Sequence, residues 1–440
     1  MNNGLEKLRV SPNLLIIGFV LFVELKGLGA FSKGGFGSGN VNLLAFTQIL
    51  TILILIIYLL GIKFKFTYNR NNLIQLPTIL VYSLFVIAII KSTFDWLILN
   101  ELTLTDFYSN VKYVHIYLLF FLIIALVKTE DDINRLVKLI IYLALVGTLL
   151  EIWVIITHIS TGTIILVEGS ASIRKLRVLT PVGTFIAMAF YLKFAELWCR
   201  KNISFSGVII LILLAFGVLI QMHRSVFFAF FASLIFFFVF IELKQFFSKK
   251  FKKIVFVIIV IFIVVLIINY LTPSNFDLSK LIRSSIADEK TNTGTLSFRV
   301  EVLKNTISYI LKNKLIFGTG FSWHITEFID YWNGKFSYSP SNDNSVTNIL
   351  LVFGIPGLIV YILLFFRIFK FWIISIKDLI NINIKIYSVG FILTSFYLLF
   401  TLFFSDNVMG YTNTITLIIL WSIAYRLNSL NIDKQLLIIE

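Results

Sequence analysis

The sequence has almost no means of covalent or metal cross-linking: one cysteine and four histidines in 440 residues. A lone cysteine forms no internal disulfide, and Cys199, beside Arg200 and Lys201, reads as a small apolar-face residue. His115, His158, His223 and His324 are far apart, and neither HExxH, CxxC nor an acidic cluster accompanies them. No protein-bound metal and no cofactor is therefore expected. Only six prolines occur, and the lack of polar low-complexity tracts excludes a disordered chain. Charge is also scarce: 14% of residues, against about 25% in soluble domains. What charge there is leans basic, 38 Lys and Arg against 23 Asp and Glu, a net +15.

Apolar residues fill the space. They make up 58% of the chain, with 46 Phe, and the mean hydropathy is +0.93. Too little polar surface remains to cover a soluble globule. A membrane span needs about 20 mainly apolar residues to cross about 30 Å of hydrocarbon. Runs of that kind fall at roughly 12–30, 43–62, 73–91, 113–127, 137–157, 178–198, 206–222, 225–243, 254–272, 345–366, 385–405 and 411–426. The expected fold class is an all-α polytopic membrane protein of about 12 transmembrane helices. The first run carries Glu24 and Lys26. Its flank, Lys7 and Arg9, lacks a following small-residue cleavage site, which predicts a retained span rather than a signal peptide.

Basic residues orient the spans, because cytoplasmic loops keep them. With both termini inside, the inner segments hold 21 Lys and Arg, and the short outer loops seven: Lys33, Lys91, Lys112, Arg174, Lys175, Arg177 and Arg224. The run from Lys244 to Lys253 then reads as a cytoplasmic anchor near anionic lipid, and no nucleic-acid partner is expected. The organisation predicted is helices one to nine over 1–272, a large external loop over 273–344, and helices ten to twelve over 345–440. The glycine-rich 34–39 lacks the Lys-Ser/Thr and spacing of a phosphate loop and reads as a turn.

Several polar residues stand out against this background. Arg174 and Arg177 flank Lys175 just before the sixth span, Arg224 sits in a tight turn between two apolar runs, and Arg299 lies in the large loop. Basic residues on an external face meet either anionic lipid headgroups or a pyrophosphate-bearing ligand gripped by guanidinium forks. Glu151 lies within the fifth span, where an ionised carboxylate costs about 2.5–3.5 kcal/mol at mid-membrane. It should face a wet cavity or a basic partner. Lys193 and Glu196 read as a helical i,i+3 pair. In the loop, Val300, Leu303, Ile307 and Ile310 recur at helical spacing and predict an amphipathic helix on the membrane or on the bundle. Phe321, Trp323, Tyr331, Trp332 and Tyr338 follow, as an interfacial belt or as stacking platforms for sugar rings.

Two segments carry a resemblance. SFRVEVLKNTISYILKNKLIFGTGF (297–321) is similar to the loop of the O-antigen ligase and polymerase superfamily, with its Arg-headed helix and Gly-x-Gly turn. DNSVTNILLVFGIPGLIVYI (343–362) resembles that superfamily's loop-to-helix junction: Asn344, nine residues, then Gly354 and Gly357. HRS at 223–225 and RVLTPVGTFIAMAF at 177–190 look like its external arginine segments. The resemblance implies an integral-membrane glycosyltransferase that works without metal on undecaprenyl-pyrophosphate-linked oligosaccharides at the external face of the bacterial inner membrane. Membrane lipids and a chain-length regulator protein are the implied partners. Arg174, Arg177, Arg224 and Arg299 would hold pyrophosphate, and Glu151 and Asn344 are secondary candidates. Where ligases have His this chain has Asp343, which favours a repeat-unit polymerase, with Asp343 as base and His324 as the other candidate. A ligase acting on lipid A-core and, from another class, a lipid-linked oligosaccharide flippase are the alternatives; no internal repeat supports the latter.

Overall fold

A computed structural model of the chain describes residues 12–25, 72–99, 114–161, 183–200, 204–219, 224–241, 316–321, 345–376, 381–402 and 411–439, together with single residues at 52, 56 and 60 and most of 303–312. Every regular element among them is helical. In chain order these are α1 (Pro12–Glu24), α2 (Gln75–Leu97), α3 (Leu118–Leu126, led by a 3-10 turn), α4 (Glu130–Thr161) and α5 (Gly183–Cys199). Then follow α6 (Phe205–Leu219), α7 (Arg224–Phe236, running into a π-turn), α8 (Ser345–Ile376), α9 (Ile382–Thr401) and α10 (Tyr411–Ile439). Four of the described stretches are long and apolar enough to cross a membrane: Gln75–Leu97, Glu130–Trp153, Ser345–Ile376 and Ile382–Thr401. The expected runs at 254–272 and, apart from those single residues, 43–62 lie outside the described residues.

The helices start and stop for local reasons. At α4, Thr129 and Asp132 form a reciprocal cap: Asp132 N donates to Thr129 Oγ1 at 3.2 Å and Thr129 N to Asp132 Oδ2 at 3.0 Å. Glu130, Asp131 and Asp132 place negative charge on the positive helix end. Asn381 caps α9, accepting from Asn383 N and Ile384 N. At the end of α5, Glu196 meets both Lys193 at 2.7 Å and Arg200 at 3.2 Å, so the i,i+3 pair expected there exists as part of a triad.

The centre of the bundle is α5 against α9. From Gly183 to Phe194 only Lys193 among the α5 side chains is not buried, and α9 is buried along most of its length. Gly390 lets the two backbones close up, since a Cβ there would lie 2.9 Å from Leu192 Cα. Around this pair, α3 and α10 join α2 through aromatic packing: Trp421 Nε1 donates to Thr78 Oγ1 at 2.9 Å, and Tyr82 lies against Phe120, Phe121 and Trp421. The opposite faces are greasy. Val86, Ile87 and Ile90 of α2 and Ile359, Ile362 and Phe366 of α8 are exposed, as lipid-facing helices require.

Contacts sort the helix termini into two ends of the bundle. At one end Asn72 bonds Ser429 and Asn428, Arg426 bonds the carbonyls of Val127 and Lys128, Asn381 bonds Glu130, and Tyr387 bonds Asn134. At the other, Thr184 bonds Asn413, Ser345 N donates to Leu402 O at 3.1 Å, and Phe228 packs on Phe400. The starts of α5, α7, α8 and α10 and the finish of α9 therefore share this second end. The last three helices therefore run up and down: α8 starts at this end, α9 starts at the first end beside Glu130 and finishes here, and α10 starts here.

Candidate functional site

The second end gains its shape from a break in α8. Pro356 has no N–H, so a continuous helix would leave the Val352 carbonyl without a donor. The break comes two residues earlier, at Gly354, with φ 67° and ψ −160°. This frees the carbonyls of Leu351 and Val352 and the N–H of Ile355. The turn 316–321 satisfies all three. Thr319 N donates to Leu351 O at 2.7 Å, Gly320 N to Val352 O at 3.0 Å, and Ile355 N to Ile316 O at 2.9 Å. Thr319 Oγ1 reinforces the first bond at 3.0 Å.

Contact this close requires glycine. Gly318 and Gly320 have φ 75° and 67°, and a Cβ on Gly318 would lie 2.6 Å from Gly354 N and 2.7 Å from Leu351 O. α2 closes the other side: Lys91 Nζ donates to Gly318 O at 2.9 Å, and Ser92 Oγ accepts from Phe321 N at 2.6 Å. Gly354 is nine residues past Ser345, which at 1.5 Å per residue puts the turn about 14 Å below the start of α8. Residues 316–321, a short piece of the segment expected as an external loop, thus sit between α2 and α8. Non-helical backbone at that depth persists where protein groups satisfy it.

Upstream of the turn, the helical residues of 303–312 lie on the bundle. Ile310 is buried against Val346, Leu350 and Leu402, with Leu303 packed alongside. Thr306 is fully buried, whereas Ile307 and Leu311 are exposed. The inward stripe is therefore 303, 306 and 310, and Ile307 is not part of the face expected from hydrophobic spacing. Packing against α8 and α9 sets the rotation, not hydrophobicity alone.

Lys91 also departs from expectation. Its charge predicts a place in a short outer loop, but α2 continues to Leu97 and Lys91 lies within it. The Gly318 carbonyl receives its ammonium, so the charge need not end the helix. The sequence places Lys91 in a loop and leaves Ser92 and the buried Asp95 unmarked. Their signal is three polar side chains, two of them ionisable, at the end of an apolar run.

Of the candidate residues, Glu151 is described in full. It is buried on α4, one turn beyond Thr148, which itself packs on Gly217 of α6 and beside Ile186 of α5. Arg224, expected in a tight turn, is the first residue of α7, and its backbone alone is described. Arg174, Arg177, Arg299, His324, Asp343 and Asn344 lie outside the described residues. The second end is itself polar among its described residues. Polar residues crowd there, with Ser345, Thr347, Asn348, Thr401, Thr414 and Thr416 all buried.

Residues 209–362 match the family model described as O-antigen ligase. The match runs from α6 to the middle of α8, covers the turn and the kink, and supports the O-antigen ligase and polymerase superfamily. No curated protein matches the chain.

Proposed function

We propose that the chain polymerises undecaprenyl-pyrophosphate-linked oligosaccharide repeat units into O-antigen or a related surface polysaccharide, at the external face of the inner membrane. The observation that carries this reading is the seating of the 316–321 turn in the α8 kink. It joins the two segments most similar to the superfamily, and both fall within the matched range.

On this reading the second end of the bundle faces the external side, and the first end, with both termini, is cytoplasmic, as the distribution of Lys and Arg favours. The starts of α5, α7, α8 and α10 contribute partial positive charge there. Arg177, Arg224 and Arg299, with Arg174, add guanidinium forks that bind the donor's pyrophosphate. In the reaction, an acceptor hydroxyl oxygen bonds to the donor's anomeric carbon while the bond from that carbon to the pyrophosphate oxygen breaks. The pyrophosphate leaves with the electron pair, stabilised by the arginines. The hydroxyl proton passes to Asp343, or to His324. Glu151 and Asn344 orient the arginines and the sugar. No metal is required for this charge balance.

The decisive experiment is extension of a lipid-pyrophosphate-linked repeat unit by the purified full-length protein in detergent or nanodiscs, with chelator present. Polymer ladders are expected; their absence with an active preparation removes the polymerase reading. The description of the matched family as a ligase favours one second reading, transfer of finished polymer to lipid A-core. Lipopolysaccharide from a strain lacking the gene separates the two: single-repeat caps report a lost polymerase, and uncapped core with accumulated lipid-linked polymer reports a lost ligase.

A further inference from the structure

We infer that Thr184, at the start of α5, is a phosphate-binding residue backed by Tyr397 of α9, and that Asn413 of α10 holds the ligand's place until a phosphate-bearing molecule arrives. The inference deepens the proposed glycosyl transfer, whose donor is a lipid pyrophosphate, and rests on that reading only for the identity of the ligand.

Two helix starts meet here side chain to side chain: Thr184 Oγ1 donates to Asn413 Oδ1. Thr184 is the second residue of α5 and Asn413 the third of α10. Both therefore lie in first turns, where backbone N–H groups point along the helix axis toward this end of the bundle. Neither first turn holds an acidic residue. At the other end α4 begins with Glu130, Asp131 and Asp132, which offset its dipole. What Thr184 receives from Asn413 is an amide oxygen, and a phosphate oxygen is a stronger acceptor for the same hydroxyl.

The second observation lies beneath this contact. Tyr397 is one turn before the last residue of α9 and fully buried, and its hydroxyl faces Thr184 without a hydrogen-bond partner among the described residues. Its surroundings have theirs. Tyr191, whose ring centroid lies 6.1 Å away, donates to Phe230 O at 3.2 Å, and Thr394 and Thr401 donate to Gly390 O and Tyr397 O. A buried hydroxyl left unbonded costs stability, a cost that sites poised for a ligand carry. Exposure rises from Tyr397 at 0% through Thr184 at 7% to Asn413, which is partly exposed. The three form a column from core to mouth. A phosphate oxygen that takes the place of Asn413 Oδ1 receives the Thr184 hydroxyl. Thr184 is then no longer fixed by Asn413, and Tyr397 O–H donates to its oxygen. Each bond polarises the next toward the anion. Tyr397 thus acts through Thr184 as a positioning residue and does not touch the ligand, which its full burial would forbid.

The test uses the full-length protein in detergent. Binding of inorganic pyrophosphate and of undecaprenyl pyrophosphate is titrated by native mass spectrometry, and melting without ligand is followed in parallel. Thr184→Val should weaken binding about 10- to 100-fold, as loss of a hydrogen bond to a charged group does, and Thr184→Ser should restore it. Weakening of both ligands assigns the site to a phosphoryl group as such; weakening of the lipid alone assigns it to a lipid headgroup. Tyr397→Phe should weaken binding several-fold without lowering Tm, because it deletes a hydroxyl that has no partner in the ligand-free protein. Asn413→Asp keeps the acceptor for Thr184 and suits a helix start. It should therefore hold Tm while its fixed charge weakens binding about tenfold or more. Binding by Thr184→Val and Asn413→Asp within about twofold of the parent's overturns the inference, as does binding of neither ligand by the parent. A Tyr397→Phe protein with lowered Tm and unchanged binding marks an ordinary structural bond and also overturns it. Absence of chain extension alongside variant-sensitive binding removes the polymerase reading and leaves the inference standing; extension with variant-insensitive binding does the reverse.

Discussion

Replacing Gly354 by alanine should detach the 316–321 turn from α8 without unfolding the bundle. The backbone at Gly354 has φ 67° and ψ −160°, a region open essentially to glycine, at about 1–3 kcal/mol for another residue. An added Cβ would also run into Ile316 O and come within 2.5 Å of Gly318 N and 2.6 Å of Phe317 C, all backbone atoms that cannot swing aside. Separating the segments to make room forfeits the bonds from Thr319 N, Gly320 N and Ile355 N, each with a net value of about 0.5–1.5 kcal/mol. Strain and lost bonds together come to roughly 3–7 kcal/mol. That is enough to invert a local docking equilibrium. The rest of α8 is anchored separately, with Tyr361 bonded to Tyr117 and Trp372 stacked on Phe391, so global melting should fall far less than docking. The assays are maleimide labelling of Thr319→Cys in the Cys199→Ala background and extension of a lipid-linked repeat unit. Labelling should rise to that of an exposed thiol, and extension should fall about 100-fold. Gly18→Ala serves as control, because its Cβ would meet Leu139 at an ordinary 3.4 Å. A Gly354→Ala protein that stays protected and extends chains at the parent rate would refute the reasoning.

Other outcomes follow from the same physical picture. Arg224→Ala should abolish chain extension in cells with protein levels intact by immunoblot; unaltered polymer removes Arg224 from the site. Asn72→Ala strips Asn428 of its acceptor and leaves a buried amide at the far end of the bundle; it should cost about 1–3 kcal/mol in melting experiments and leave KM unchanged. Gly217→Ala places a Cβ against Thr148, 3.0 Å from Cγ2, and should destabilise by about 1–3 kcal/mol. Adding Thr148→Ala should recover most of that loss, and strict additivity in the double-mutant cycle would contradict the contact. Arg426→Met removes two bonds to the carbonyls at the end of α3, for about 1.5–3 kcal/mol per charged bond before solvent exposure discounts it.

Much of this architecture is written in local composition. Apolar runs of membrane length become helices because an unpaired backbone is prohibitive in hydrocarbon, and Thr129 with Asp132 and Asn381 mark helix starts by capping chemistry that depends on near neighbours alone. The Lys193–Glu196 pair was equally legible, since helical geometry brings i and i+3 together. The glycines at 318, 320 and 354 could be seen as a pattern, but their purpose could not. Each is needed because another segment, more than 30 residues away in sequence, approaches within contact of its α-carbon.

What the sequence determined by itself is thus the helical class, the membrane habit and the resemblance to one superfamily, all properties of short windows or of matched motifs. What the tertiary structure alone decided is where the turn sits and what holds it. Lys91 looked like a loop residue because hydropathy scores a charge by its own cost; the Gly318 carbonyl cancels that cost, and α2 runs on. Ile307 looked like a core residue because spacing cannot choose between neighbouring stripes on a helix. Val346, Leu350 and Leu402 chose. Both misreadings have one cause: the energy of a polar or apolar group depends on what faces it across space, and that partner is distant in the chain.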